Sequence, residues 1–399
     1  MAKRSRRVKD TVTEPKMSKR SRRVKDTVTE LMNDDDRISR LPDDMIHHIY
    51  SFRDARSSVQ SSVLSRRWRN TWKSHPRLNF ENNRFSSQTS GFKYPNFAQK
   101  FLSARVHVAE LSAIDFRSNS ISLLLLKKIL DYAMSHQTRK VNIEFLGSKQ
   151  TRRGGFDLSL FRSHFLEHLC LSIDFEIIIS PPLTWDLPAL VHLNLDLVKI
   201  RMEPSNDSAS KSIDLFSGFP NLKTLVLTRC LLSNIGTFII ASSKLEYLSL
   251  KGLYCGCKFM ISAPKLASFT YYGMPQFSLI ANDLLSLKTV EFGTLYHKSF
   301  DNKAQLGDQM IKTFVQLSKA ETLTVNLDVL WFLLENPDLL EKRRCPFLRL
   351  QSLTLVVSKL PRCLADFVAI INFFRRGSPS IKFHLKLDST PPIVRYRIW

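Results

Sequence analysis

Residues 36–80 read DRISRLPDDMIHHIYSFRDARSSVQSSVLSRRWRNTWKSHPRLNF. Pro42 fixes its own φ and pushes Leu41 to extended backbone, so a helix starts here or later. Asp43 and Asp44 suit a first turn, where carboxylates offset the helix dipole. Met45, Ile46, Ile49 and Phe52 then fall on one helical face. A second amphipathic piece carries Val59, Val63 and Leu64. Ser65 can cap a third, in which Trp68 and Trp72 stand four apart. Three short helices in so few residues make a small core that needs a partner or a neighbouring domain.

The same stretch closely resembles an F-box. The residues that carry the resemblance are Leu41-Pro42-Asp43-Asp44, Ile49-Tyr50-Ser51-Phe52, Ser62-Val63-Leu64-Ser65-Arg66-Arg67-Trp68-Arg69 and Trp72. The last element is similar to the plant F-box family that carries leucine-rich repeats behind the box. One position departs from that pattern, Arg53, where an apolar residue is usual. The resemblance implies a Skp-type adaptor as partner and, through it, a cullin-based ubiquitin ligase. It assigns the adaptor-facing role to Leu41, Pro42, Met45, Ile46, Ile49, Val63, Leu64 and Trp68, some of which must pack inside the box instead.

Downstream, the pattern L-x-x-L-x-L recurs, each copy a short strand whose alternate residues enter a core. Clean copies start at Leu166, Leu190, Leu222, Leu245 and Leu350; degenerate ones at Leu111, Leu266 and Leu287; weaker ones at Thr138 and Ala320. Their spacing centres on the 20–29 residues of leucine-rich repeats. Residues 204–211 read as an inserted loop. Leu306, Met310, Phe314 and Leu317 carry the helical spacing of an inserted helix. The asparagine ladder of regular repeats is missing, with Val198, Arg229 and Gly252 near that position. Ile381, Phe383, Leu385 and Leu387 alternate as a closing edge strand before Pro391-Pro392. A closed α/β sheet is the alternative to stacked repeats.

The expected fold is therefore α/β: a disordered basic tail over 1–35, an F-box over 36–80, a linker over 81–105, an irregular leucine-rich-repeat solenoid over 106–390 and a tail over 391–399. Outward-pointing strand positions would form the target-binding surface. The residues singled out there are His168, His192, Asn194, Tyr247, Lys251, Tyr272 and Glu291, with the two tyrosines as aromatic anchors.

The 399-residue chain carries 59 basic and 36 acidic residues, a net charge of +23. Such charge attracts acidic partners, nucleic acid included, without marking a sequence reader. The twelve residues KRSRRVKDTVTE occur twice, at 3–14 and 19–30. Lys3, Arg4, Arg6, Arg7, Lys19, Arg20, Arg22 and Arg23 form two basic patches, candidate nuclear-import signals in a protein of nucleus and cytoplasm. The alternative is a solvated tail. The N-terminus lacks the apolar region of a secretory signal, and no apolar run reaches the roughly 18–20 residues of a membrane helix. The six cysteines are read as reduced thiols.

Catalytic motifs are not found: there is no G-x-S-x-G, H-E-x-x-H or phosphate-binding glycine loop. His164, His168 and Cys170 invite a metal reading but have no fourth ligand nearby in sequence. Cys255-Gly256-Cys257 reads as a turn. No enzyme activity, metal or cofactor is expected. Two other classes remain, an F-box scaffold without a ubiquitylation target and a basic nucleic-acid-associated repeat protein.

Overall fold

The computed structural model describes residues 37–81, 94–106, 111–118, 123–145, 162–173, 178–179, 185–201, 212–294, 303–334, 340–341, 343–357 and 364–387. The duplicated basic segment, the 204–211 insertion and the 391–399 tail lie outside them.

The N-terminal domain opens with a helix at Asp43–Ser51, its first turn carrying Asp43 and Asp44 directly behind Pro42. Asp54 caps the next helix, Ala55–Gln60, by accepting from the Ser57 N–H at 2.7 Å. A 3₁₀ turn at Ser61–Val63 leads to a short helix at Trp68–Thr71. Ile46, Tyr50, Trp68 and Trp72 are buried between these pieces. The Trp68 indole N–H donates to the Ile38 carbonyl at 3.1 Å, and the Tyr50 hydroxyl meets Ser61 Oγ at 3.0 Å. Both buried aromatics therefore keep a polar partner.

The body is a mixed α/β structure built on an open sheet of 12 strands. In order along it lie β1 (Arg77–Glu81), β2 (Ala113–Ser118), β3 (Lys140–Phe145), β4 (His168–Ile173), β6 (His192–Asp196) and β9 (Thr224–Thr228). Then come β12 (Tyr247–Lys251), β14 (Ser268–Gly273), β16 (Thr289–Thr294), β17 (Thr322–Asn326), β18 (Ser352–Val357) and β19 (Lys382–Leu387). Each pair is parallel and each strand follows its neighbour in sequence order. The two ends, β1 and β19, do not meet, so the closed-sheet alternative is excluded.

The connections fill the second layer. Behind the first and last strands these are helices, at Leu123–Ser135, Lys303–Gln316, Leu327–Leu334 and Leu364–Gly377. In the middle they are short strands: β5 (Ile178–Ile179), β7 (Lys199–Arg201) and β10 (Leu231–Ser233) form one parallel sheet. β8 (Ser212–Asp214), β11 (Thr237–Ala241), β13 (Lys258–Ser262) and β15 (Leu279–Asn282) form another. The leucines of the repeated pattern are buried between the layers, including Leu193, Leu225, Leu248, Leu250 and Leu353.

The core contains a device the leucine pattern does not announce. Phe216, Phe238, Phe259 and Phe277 touch in succession at 5.7, 5.8 and 5.2 Å between ring centroids. Tyr271 stacks on Phe277 at 3.8 Å, and the series continues through Phe292, Phe314, Phe347 and Phe374. Aromatic pairs at these separations add about 0.5–1.5 kcal/mol each beyond area burial. The spine ties the strand-backed middle to the helix-backed end.

Four sequence expectations change. The proposed linker at 81–105 holds a helix, Tyr94–Ser103, with Pro95 near its start and Tyr94, Ala98 and Phe101 buried. Phe101 meets Trp72 at 4.9 Å and Phe80 at 5.6 Å, so the helix joins the box to the sheet. The stretch assigned wholly to the box ends in β1, the first strand of the sheet, with Leu78 and Phe80 buried. The box is therefore not a separate module. Its helices cover the β1 edge, the Arg105 guanidinium spans Tyr132 and the Trp72 carbonyl, and one core runs through both parts.

The fourth change concerns the turn after each strand. Leu197, Arg229 and Gly252 are equivalent, all left-handed with φ of 57°, 50° and 60°. Their N–H groups donate to the strand-end carbonyls of Thr228, Lys251 and Tyr272 in the next repeat. Glycine adopts this conformation without steric cost, whereas leucine and arginine are held there by the surrounding bonds. The residue that follows, Val198, Cys230 or Leu253, is buried at the site of the asparagine ladder. Cys230 does that job: its thiol donates to the Leu195 carbonyl at 3.3 Å, and burial pushes its pKa up to about 12.

Candidate functional site

Two surfaces carry the candidate residues. The first is the box face turned away from the sheet. Of the eight adaptor candidates, Ile46 and Trp68 are fully committed to the interior. Leu41 and Ile49 are half-buried, while Pro42, Met45, Val63 and Leu64 are exposed, Val63 at 88%. Met45 and Ile46 share one helical face by spacing, but only Ile46 is buried. Ile38 and Phe52 join the exposed group, Phe52 at 75%. A groove of about 440 Å³ lies among these residues, lined by Ile38, Leu41, Ile49, Tyr50, Leu64 and Trp68 with Arg53 at its margin. Arg53 is exposed and is itself one of the residues lining the groove, so a charge stands at an apolar site.

Contiguous exposed apolar residues beside a packed box mark an interaction surface. Asp43 and Arg67 flank it with an exposed ion pair at 2.8 Å, a contact that fixes little energy but closes the ends of two helices.

The second surface is the outer face of the large sheet. Its central row runs Asp115, Asn142, Cys170, Asn194, Val226, Ser249, Thr270, Glu291, Thr324 and Thr354, aligned strand to strand. The rows on either side bring Lys140, His168, His192, Thr224 and Tyr247 together, and Asp196, Thr228, Lys251 and Tyr272. Alternation across each strand sends these residues outward while the leucines go in.

The side chains on this face differ from free-standing contacts. The rings of His168 and His192 stack with centroids 4.5 Å apart and planes 6° apart. Asp196 is engaged by Arg229 and by the Ser172 hydroxyl at 3.0 Å. Glu291 is exposed and lies 3.5 Å from the Thr270 hydroxyl. Tyr247 and Tyr272 are half-buried, and Ser249 and Thr270 in the row between them are buried although they point outward. Tyr272 is set low on this face. Its ring reaches beside Gly293, where an added Cβ would fall 2.7 Å from Cε2.

Among the described residues no three His, Cys, Asp or Glu side chains are grouped to hold a metal ion. Among the described residues, too, no helix is long and apolar enough to cross a membrane.

Comparison with known proteins identifies the N-terminal domain. Residues 38–80 match the F-box domain. The N-terminal domain is an F-box. The chain is 29% identical over 252 residues to a putative F-box/FBD/LRR-repeat protein of Arabidopsis thaliana, covering 62% of this chain and 56% of that protein. It is 26% identical over 305 residues to a putative FBD-associated F-box protein of the same plant, 74% and 66% of the two chains. An F-box/LRR-repeat protein of Arabidopsis thaliana is 29% identical over 241 residues, 58% of this chain and 73% of that one. The resemblance to plant-type F-box/leucine-rich-repeat proteins is borne out. The chain spans between half and two thirds of the first two relatives' length.

Proposed function

We propose that the protein is the substrate-recognition subunit of an SCF-type (Skp–cullin–F-box) ubiquitin ligase, without catalytic residues or cofactor of its own. F-box proteins generally bind Skp-type adaptors, and the F-box here presents Leu41, Pro42, Met45, Ile49, Val63 and Leu64 for that role. The single observation that supports this reading is the exposure of Pro42, Met45, Val63 and Leu64, with Leu41 and Ile49 half-buried, on a domain whose other side is buried against the sheet. Burial of such a cluster against an adaptor removes apolar surface at about 25 cal/mol per Å².

On this reading the open parallel body is an irregular leucine-rich-repeat solenoid, each repeat burying its leucines on its neighbours. Its outer face, with His168, His192, Asn194, Tyr247, Lys251, Tyr272 and Glu291, selects the target protein. The F-box over 36–80 and the repeats over 106–390 then divide the work, with the helix between them fixing their mutual orientation. The two basic patches at 3–7 and 19–23 direct part of the protein to the nucleus, the rest remaining cytoplasmic.

The test is capture of a purified Skp-type adaptor. Val63→Asp places a charge among the exposed apolar residues without touching the core. It should abolish capture while the thermal melt stays unchanged. Unaltered capture would overturn the assignment. A scaffold without a ubiquitylation target is separated from a receptor by turnover: only a receptor's bound partner becomes longer-lived when Val63→Asp replaces the native chain.

A further inference from the structure

Resting on the reading of the outer face as the target-binding surface, we propose that Lys140, His168 and His192 form a recognition site for an anionic group, the carboxylate or phosphoryl group of an acidic segment in the target.

These three residues are directly in register on adjacent parallel strands β3, β4 and β6. Adjacent strands run about 4.8 Å apart, so one small anion can reach donors from all three. The row is bounded by Ala113 on one side, which contributes no reach, and by Thr224 and then Tyr247 on the other. The row, the proposed seat of the anion, therefore runs from a small residue toward an aromatic ring.

The electrostatics around the seat are unbalanced. The neighbouring carboxylates already have partners: Glu167 faces Arg139 at 3.6 Å, Glu144 faces Arg117 at 3.4 Å, and Asp196 is held by Arg229 and Ser172. Asp115 is hydrogen-bonded by the Asn142 amide and lies 3.9 Å from Arg77. Lys140 has no ion-pair partner among the described residues. Two imidazoles thus stack beside a half-buried ammonium with no carboxylate assigned to it. A charge-assisted bond to an anion supplies the missing counter-charge.

The stack also makes recognition depend on pH. Burial, His192 and Lys140 hold His168 below the usual imidazole range, with Glu167 pulling the other way. Cys170 on the next outward position of β4 is held up by burial and stays a neutral thiol. Holding His168 toward its neutral form lets its ring stack on His192 with less repulsion. An anion in the seat favours the imidazolium form, so proton uptake and anion binding strengthen one another. Affinity rises as the pH falls through the histidine range.

The experiment is a histidine NMR titration of the full chain, in inorganic phosphate, in acetate and in chloride at matched ionic strength. The resonances are assigned with His168→Gln and His192→Gln. Phosphate should raise the midpoints of His168 and His192 by about half a pH unit or more over chloride, leaving His136 and His384 unmoved. Lys140→Gln should weaken phosphate binding about tenfold with an unchanged melt. Midpoints identical in phosphate, acetate and chloride would overturn the site. A phosphate response without an acetate response names a phosphoryl group, and a response to both names a carboxylate or phosphoryl group. The readout needs no target protein, so a failed anion site and a failed receptor reading are distinguished.

Discussion

The ring of Tyr272 reaches beside Gly293 of the adjacent strand, into space that any side chain at 293 would occupy. A residue that a sequence presents as an exposed anchor is thus half set into the sheet, its orientation fixed by a missing Cβ. Gly293→Ala should cost about 1–2 kcal/mol by forcing the ring off the sheet. In a Tyr272→Ala background the same change should be neutral or stabilising, because glycine is a poor strand residue once nothing needs its space. A double-mutant cycle on thermal melts reads the difference. Equal costs in both backgrounds would contradict the contact.

Leu248 and Tyr247 are sequence neighbours with opposite fates, one fully buried and one on the outer face. Leu248→Ala should cost about 2–5 kcal/mol through the cavity it leaves. Tyr247→Ala should stay within about 1 kcal/mol and act instead on target binding. Melts in which Tyr247→Ala is the more damaging change would refute the strand register, since a one-residue slip exchanges the roles.

The register was legible because leucine recurs on a strand period, so ten strand positions and their outward rows follow from spacing alone. The closing strand at β19 and the helix with Leu306, Met310 and Phe314 follow from alternation and helical spacing in the same way. What was not legible depends on contacts between distant residues. β1 has the same alternation in Leu78 and Phe80, but it lies inside the stretch the F-box pattern claims. The helix at Tyr94–Ser103 has no repeat signature, and its meaning comes from Phe101 meeting Trp72. The aromatic spine runs through connecting segments, whose spacing is irregular. Cys230 holds the ladder position through one bond to Leu195, which no single-strand pattern displays.

His75 offers a pH test of the joint between the F-box and the sheet. Both of its ring nitrogens are buried without a hydrogen-bond partner, and its ring faces Tyr50 and His47. Burial, with His47, Arg105 and Arg77 adding to it, pushes its pKa down to about 3. Below the ordinary imidazole pKa the unfolded chain binds a proton that the folded one refuses. Stability is therefore complete above that value and falls as the pH drops toward 3, by about 1.4 kcal/mol per pH unit from this group. Chemical denaturation of His75→Phe should show a slope shallower by that amount between about pH 6 and pH 4. Parallel slopes would mean that the ring takes up its proton while folded.

The F-box covers the β1 edge and carries most of β1, so deleting residues 36–80 would remove Leu78 and Phe80 and uncover Ile114 and Phe116 of β2 as well as removing the adaptor face. Point changes on the outer side of the box are the cleaner instrument. Ile46→Ala should lower stability by about 2–5 kcal/mol, whereas Leu41→Ala with Pro42→Ala should leave the melt within about 1 kcal/mol and still abolish adaptor capture. Adaptor capture and thermal melts on the same preparations check both halves.

The most direct test of the receptor account is affinity purification of the native chain and Val63→Asp from cells, with and without a proteasome inhibitor. The account predicts that Val63→Asp loses the Skp-type adaptor and the cullin together. It also predicts that this variant keeps the proteins bound at the outer face, now at the raised level that the native chain shows only when the proteasome is inhibited. Retention of the adaptor by Val63→Asp, or bound partners whose levels respond neither to the substitution nor to the inhibitor, would contradict it.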